Sequence, residues 1–217
     1  FNTVFEYWPM YLEGLRTTIY VTLGSLIFSL ILSIPLAMIK ITKNKILNFI
    51  GFLYTDIFRA LPSLVQIYLV YFAAPQLFGI TFTAMTSAFI TLSMNAAAYI
   101  SEALRGGILS VDIGQREAAK ALGISQVDTL KDIVLPQALK AVFPSMINET
   151  IGLLKGTSLV SIIGVVDLMR ASRQVMADSY LSFEPLMVAA VIYYILVKSM
   201  SMIGNRLEKR IRVSEIR

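Results

Sequence analysis

The chain has 217 residues, 56% hydrophobic and only 15% charged, with a mean hydropathy of +0.70 and a net charge of +5. A soluble domain carries about 45–50% apolar and about 25% charged residues, so an ordinary soluble globular protein is excluded, and the length fits one domain spanning 1–217. There is no Cys and no His, which removes disulfides, thiol and imidazole chemistry and the usual zinc ligands.

Residues 1–14, FNTVFEYWPMYLEG, mix aromatics with two acids and suit the membrane–water interface. They show no basic flank ahead of a short apolar core and are not read as a removable signal peptide. Thr17 to Ile39 and Ala60 to Ser101 contain no charged residue. A bilayer core needs roughly 20 apolar residues per helix, so the second run accommodates two crossings. Five spans are predicted, at about 16–39, 47–74, 82–104, 139–166 and 185–205, and the class is an all-α integral membrane protein. Pro62 lies inside span 2 and Pro144 inside span 4, as hinges or bends. APQLFG (74–79) reads as a turn. Residues 105–137 form a polar insert, and 167–184 a polar connection with a short helical pattern.

Basic residues fix the orientation. Lys40, Lys43, Lys45, Arg105, Arg116, Lys120, Lys131, Lys140, Arg206, Lys209, Arg210, Arg212 and Arg217 fall on one flank of the spans, and only Arg16, Arg170 and Arg173 on the other. The first flank is read as cytoplasmic, which puts the N-terminus outside and the C-terminus inside. The charge is thus used for topology, and no nucleic-acid partner is expected.

The insert holds EAAKALGISQVDTLKDIVLP, residues 117–136. Asp112 with Gln115 makes a capping box, Gly123 suits the left-handed position that ends a helix, and Ser125 caps a second helix with Asp128 near its positive end. That second helix is expected to stop near Leu135, before Pro136. The pattern Glu117-Ala118-Ala119, Gly123, Ile133, Leu135-Pro136 resembles the signature loop of the permease subunits of binding-protein-dependent ABC importers. FRALPSLVQIYLVYF (58–72), NAAAYISEALRGGI (95–108) and LLKGTSLVSIIG (153–164) resemble the polar amino-acid branch of that family, so the likeness covers nearly the whole chain. It departs at Gly156, where an acid is expected after Lys155, and at Glu149, where a neutral polar residue is expected.

The resemblance implies a bacterial cytoplasmic (inner) membrane permease whose loop, through Glu117, Ala118, Ala119 and Gly123, couples to a separate ATPase. This chain has no G-x-x-x-x-G-K-[ST] phosphate loop, so ATP and Mg belong to the partner, and no cofactor or catalytic residue is expected here. Two ATPase subunits, a second permease copy in a two-fold homodimer and an extracytoplasmic amino-acid-binding protein are the implied partners. The stretch 169–180, with Arg170 and Arg173, is a candidate surface for that binding protein, or a solvated loop.

Ionisable groups at membrane depth face a cavity or a partner. Thr91, Asn95, Tyr99, Glu102 and Gly106 share one helical stripe, which reads either as cavity-facing or as interhelical hydrogen bonding. Glu149 and Lys155 lie about 120° apart around span 4 and cannot pair along one face; Glu149 suits a ligand's ammonium and Lys155 its carboxylate, or each joins an ion pair elsewhere. Asn95, Tyr99, Glu102, Glu149 and Lys155 are the candidate substrate residues. Gly152 and Gly156 form G-x-x-x-G, a close-packing pattern, and Asp56 and Arg59 are spaced to pair. The extra acid at Glu149 favours a basic amino acid, arginine first, with glutamine or another polar amino acid as the alternative. A self-sufficient secondary transporter would need inverted repeats, which are not found, and an intramembrane enzyme finds no motif.

Overall fold

A computed structural model describes residues 6–213, with side chains described to residue 211. The described residues form helices joined by short links, without a strand. The expected interfacial segment is continuous with the first span, because helix α1 runs unbroken over Trp8–Ile41. Residues 1–5 of that segment lie outside the described residues. Pro9 sits in the first turn, where its missing N–H costs nothing.

Helix α2 covers Lys45–Ala60, capped by the Asn44 side chain, which accepts from the Ile46 and Leu47 N–H groups at 3.0 and 3.2 Å. It does not continue as a straight span. Leu61 and Pro62 are extended and α3, Ser63–Phe78, leaves at 106° to α2. Proline disfavours helical geometry at the residue before it and supplies no N–H. The carbonyl of Phe58, four residues earlier, therefore loses its helical donor. The side-chain amide of Gln66 donates to Phe58 O and Leu61 O, both at 2.8 Å, and that of Asn95 donates to Phe58 O at 3.2 Å. Pro62 is thus a stabilised corner. The APQLFG stretch, expected as a turn, is helical over Ala74–Phe78 and stops only at Gly79, whose φ is +68°.

Helix α4, Ala84–Ser110, is the centre of the fold and packs against both α1 and the later helix α6. On α1 the residues Thr18, Thr22, Ser25, Ser29 and Ser33 are buried, a stripe of small residues of the kind that lets backbones approach, and Thr18 Oγ1 accepts from Leu168 N–H at 3.1 Å. Several of these hydroxyls return to their own helix, as Thr22 does to Thr18 O at 2.7 Å and Ser29 to Leu26 O at 2.8 Å. Near the C-terminal end of α4 the close crossing is at Gly107, where a Cβ would collide with Val142 and meet Ala138 O at 2.9 Å. The G-x-x-x-G pair does not play that part within the chain: a Cβ at Gly152 would meet open space, and one at Gly156 only Leu92 at 3.6 Å.

Helix α5 is Ile113–Ala121. The second helix of the insert begins at Gln126, passes through a π-helical stretch, Thr129–Val134, and runs directly into α6, Leu135–Gly156. It does not stop before Pro136 as expected. The π stretch closes with Leu135 N–H on Leu130 O, directly before Pro136, which sits in the first turn of α6. A 3₁₀ segment, Thr157–Ile163, follows, then α7, Leu168–Ser179, and α8, Phe183–Val213.

The five-span count is only partly reproduced. Among the described residues two helices, α1 and α8, are long and apolar enough to cross a membrane unaided, and up to four crossings result when each bent pair counts as one. Helix α4 is long enough but too rich in Ser, Thr and Asn to qualify. It is enclosed by protein on much of its surface, so apolarity toward lipid is not required of it.

Candidate substrate site and coupling loop

Three elements converge at the corner of α2. Arg59, in the last turn of α2, holds its guanidinium 5.4 Å from the centroid of the Tyr99 ring on α4. Asn95, one turn before Tyr99, donates to Gln66 Oε1 at 3.1 Å as well as to Phe58 O. Glu149 on α6 is half-buried, and the charge of Arg59 acts on it. Among the described residues no ion pair joins Asp56 to Arg59, so the expected pairing along α2 is not formed.

The candidate stripe on α4 divides. Asn95 and Tyr99 stand at this corner. Glu102 is engaged elsewhere, with Oε1 accepting from Lys40 Nζ at 2.7 Å and Oε2 from Arg105 Nη2 at 2.9 Å and Nε at 3.2 Å. Lys40, at the end of α1, is fully enclosed and also donates to Thr55 Oγ1 at 2.9 Å and Ser101 Oγ at 2.8 Å. Arg105 lies 5.4 Å from the centroid of the Phe52 ring. One charge network thus ties α1, α2 and α4 together near the predicted cytoplasmic face. Lys155 is exposed near the far end of α6, about 9 Å along the axis from Glu149 at 1.5 Å per residue. Arg59 and Gln66 were absent from the sequence candidates. The signal for both lay in F-R-A-L-P-x-x-x-Q, an interrupted helix whose freed carbonyl needs an amide and whose last cation has no i,i+4 acid.

On the polar insert, Asp112 Oδ1 accepts from Gly114 N–H at 2.7 Å, while Gln115 meets the cap through its backbone N–H to Asp112 O at 3.1 Å. Helix α5 ends in a Schellman motif, with Ile124 N–H to Ala119 O at 3.0 Å and Gly123 N–H to Lys120 O at 3.1 Å, and with Gly123 at φ +76°. Ser125 Oγ accepts from Asp128 N–H at 3.1 Å. Ala119 is buried against the chain, whereas Glu117 and Ala118 are exposed. A groove of about 500 Å³ opens between α5 and the helix after it, lined by Ile113, Arg116, Glu117, Lys120, Thr129 and Leu130. On α7, Arg173 is exposed and Arg170 reaches Ser161 O at 3.4 Å. Among the described residues no cluster of acids could hold a metal ion.

A bundle of long apolar helices, one broken at a proline, with polar groups converging at that break and a capped helical insert outside the spans, defines a membrane permease of the all-α class. The family of binding-protein-dependent transport system inner membrane components matches residues 18–213, and the chain belongs to it. A Rickettsia bellii protein named as a glutamine transport system permease, GlnP, is 44% identical over 93% of this chain and 93% of its own length. The arginine transport system permease protein ArtQ of Bacillus subtilis is 41% identical over 95% and 94%. A solved amino acid ABC transporter crystallised with histidines superposes with a TM-score of 0.92 at 32% identity, covering 97% of this chain and 98% of that one. These relatives place the chain among amino-acid ABC transporter permeases.

Proposed function

We propose that the chain forms the translocation pathway of an importer for a basic amino acid, arginine first, and couples it to ATP hydrolysed with Mg by a separate subunit. Five crossings carry the pathway: α1, the broken pair α2–α3, α4, α6 and α8. The N-terminus lies outside and the C-terminus in the cytoplasm of a bacterium, and the insert of residues 105–137 faces the ATPase. Two such chains, two ATPase subunits and an extracytoplasmic amino-acid-binding protein make up the working assembly, with Arg173 on α7 exposed toward the binding protein. Exposed Glu117 and Ala118 meet the ATPase, and Ala119 and Gly123 shape the helix that carries them.

The observation that carries the substrate reading is Glu149, a half-buried acid on α6 with no ion-pair partner within 4 Å among the described residues. A buried carboxylate without a partner is costly, and a guanidinium satisfies it through two parallel hydrogen bonds. Glutamine is the second reading. It is favoured by the charge of Arg59 acting on Glu149, which partly balances the acid, and by the name of the Rickettsia relative. The test is Glu149→Gln in proteoliposomes with saturating loaded binding protein. The basic-substrate reading expects arginine-stimulated transport to fall selectively, with the complex still assembled; unchanged arginine transport would refute it.

A further inference from the structure

The small residues of α1 bury one flank of that helix, and another flank borders a slot. Leu32, Pro35, Leu36 and Ile39 of α1, Tyr54 of α2 and Met94 of α4 line a groove of about 270 Å³. Leu32 and Met94 also line a second groove, of about 550 Å³, that continues between α1 and α4 past Phe28 and Gly24 to Tyr20. The walls are set by close packing. A Cβ at Gly51 would meet Ile39 at 2.9 Å, so α2 lies hard against the end of α1. Tyr54 donates its hydroxyl to Met94 O at 2.7 Å, which ties α2 to α4 and occupies the one polar group of that side chain. At the far end the Phe89 ring fills the space a Cβ at Gly24 would need, and its centroid lies 5.3 Å from that of the edge-on Tyr20 ring. Leu32, Phe28 and Tyr20 are exposed, so the slot opens on the outer surface of the chain.

Length and charge name the occupant. From Ile39 to Phe28 the slot follows α1 for about 16 Å at 1.5 Å per residue. That is half of a hydrocarbon core about 30 Å thick, the depth that one leaflet's acyl chains fill. Beyond Ile39 the chain leaves α1 through the link 42–44 and enters α2 at Lys45. Lys43 and Lys45 are exposed there, and among the described residues neither makes an ion pair. Lys40, on the last turn of α1, is enclosed and held by Glu102, so it is not available to a headgroup. A helix of a second permease copy would fill the apolar slot too, but two free cations at its mouth call for an anion. We propose that the slot holds an acyl chain of an anionic phospholipid whose phosphate is met by Lys43 and Lys45. Chain and headgroup are recognised together, which sets this lipid apart from the exchangeable shell around the protein. Near a membrane surface each lysine favours an anionic over a neutral headgroup by about fivefold, so the two together give roughly 30-fold.

The test is native mass spectrometry of the purified permease–ATPase complex, equilibrated in nanodiscs that hold equal amounts of phosphatidylglycerol and phosphatidylcholine with the same acyl chains. The wild type should retain one phosphatidylglycerol per permease chain, preferred over phosphatidylcholine by roughly 30-fold. Lys43→Gln or Lys45→Gln alone should lower that preference about fivefold, and the two together should bring it close to one. Leu36→Trp fills the slot and should abolish retention of either lipid. Ile34→Trp adds the same ring at an exposed position of α1 outside the slot and should leave retention unchanged. The lysine side chains are exposed, so their variants decide the matter even if Leu36→Trp disturbs the fold. An unchanged preference in the double lysine variant overturns the proposal. So does an equal loss from the two tryptophans, which would mean an exchangeable lipid shell only. A Leu36→Trp complex that separates into single permease chains with its lipid count unaltered also overturns it, and would put a second copy in the slot.

Discussion

Replacing Glu102 with Gln should damage the permease more than replacing its partner Lys40 with Met. Lys40 Nζ is fully enclosed and has three acceptors, Thr55 Oγ1, Ser101 Oγ and Glu102 Oε1, at 2.9, 2.8 and 2.7 Å. Only the last carries a charge. In Glu102→Gln the one remaining amide oxygen serves either Lys40 or Arg105 but not both, and the buried ammonium is left without a counterion. Breaking one partner of a buried pair costs about 3–5 kcal/mol; Glu102 is 19% exposed, which puts the loss near the low end, about 3 kcal/mol. In Lys40→Met the methionine fills a similar volume. Thr55 and Ser101 keep their own acceptors, Gly51 O and Ala98 O at 2.9 Å each, and Glu102 keeps Arg105. That substitution should cost no more than about 1 kcal/mol. The double variant should then be more stable than Glu102→Gln alone, because it removes the orphaned charge. The assay is thermal unfolding of the purified complex, with the four forms closed into a double-mutant cycle. Equal losses from the two single variants would refute the reasoning, and so would a double variant less stable than Glu102→Gln. A loss confined to substrate-stimulated ATP hydrolysis, with stability unchanged, would return Glu102 to the substrate site.

Gly123→Val forces a β-branched residue into φ +76°, at a cost of roughly 1–2 kcal/mol; transport should fall and ATP hydrolysis should lose its dependence on substrate, as read in proteoliposomes. Gln66→Leu strips the amide from Phe58 O, Leu61 O and Asn95, so thermal stability should drop by about 2–3 kcal/mol, and a variant as stable as wild type would show that the corner does not depend on that amide. Gly107→Leu cannot be accommodated where even a Cβ meets Val142 and Ala138 O; assembled complex recovered after detergent extraction should be sharply reduced. Ser125→Ala removes the cap on Asp128 N–H and should cost about 1 kcal/mol, weakening coupling less than Gly123→Val does.

The sequence by itself determined the material and the punctuation of this protein. Apolar runs of span length declare a bilayer environment, the lopsided Lys and Arg flanks give an orientation to test, and Asp112, Gly123 and Ser125 mark their own helix ends because capping is local chemistry that depends on neighbours a few residues away. The motif 117–136 carried the family for the same reason. Where a proline lay inside a predicted helix, locality failed in both directions. Pro62 produced a 106° corner because an amide 33 residues later in the chain, that of Asn95, and another on the next helix, that of Gln66, were waiting for the freed carbonyl. Pro136 produced no stop at all: a π turn runs into it and the helix continues to Gly156. Tertiary structure alone decided who partners whom among the charges. By spacing, Arg59 could pair with Asp56, and Glu102 stood between a cavity and an interhelical bond; in space Arg59 lies on Tyr99 and acts on Glu149, and Glu102 takes the interhelical bond, to a lysine 62 residues earlier. Charges at membrane depth are costly enough to be paired over any sequence distance, and periodicity along one helix contains no information about which other helix brings the partner.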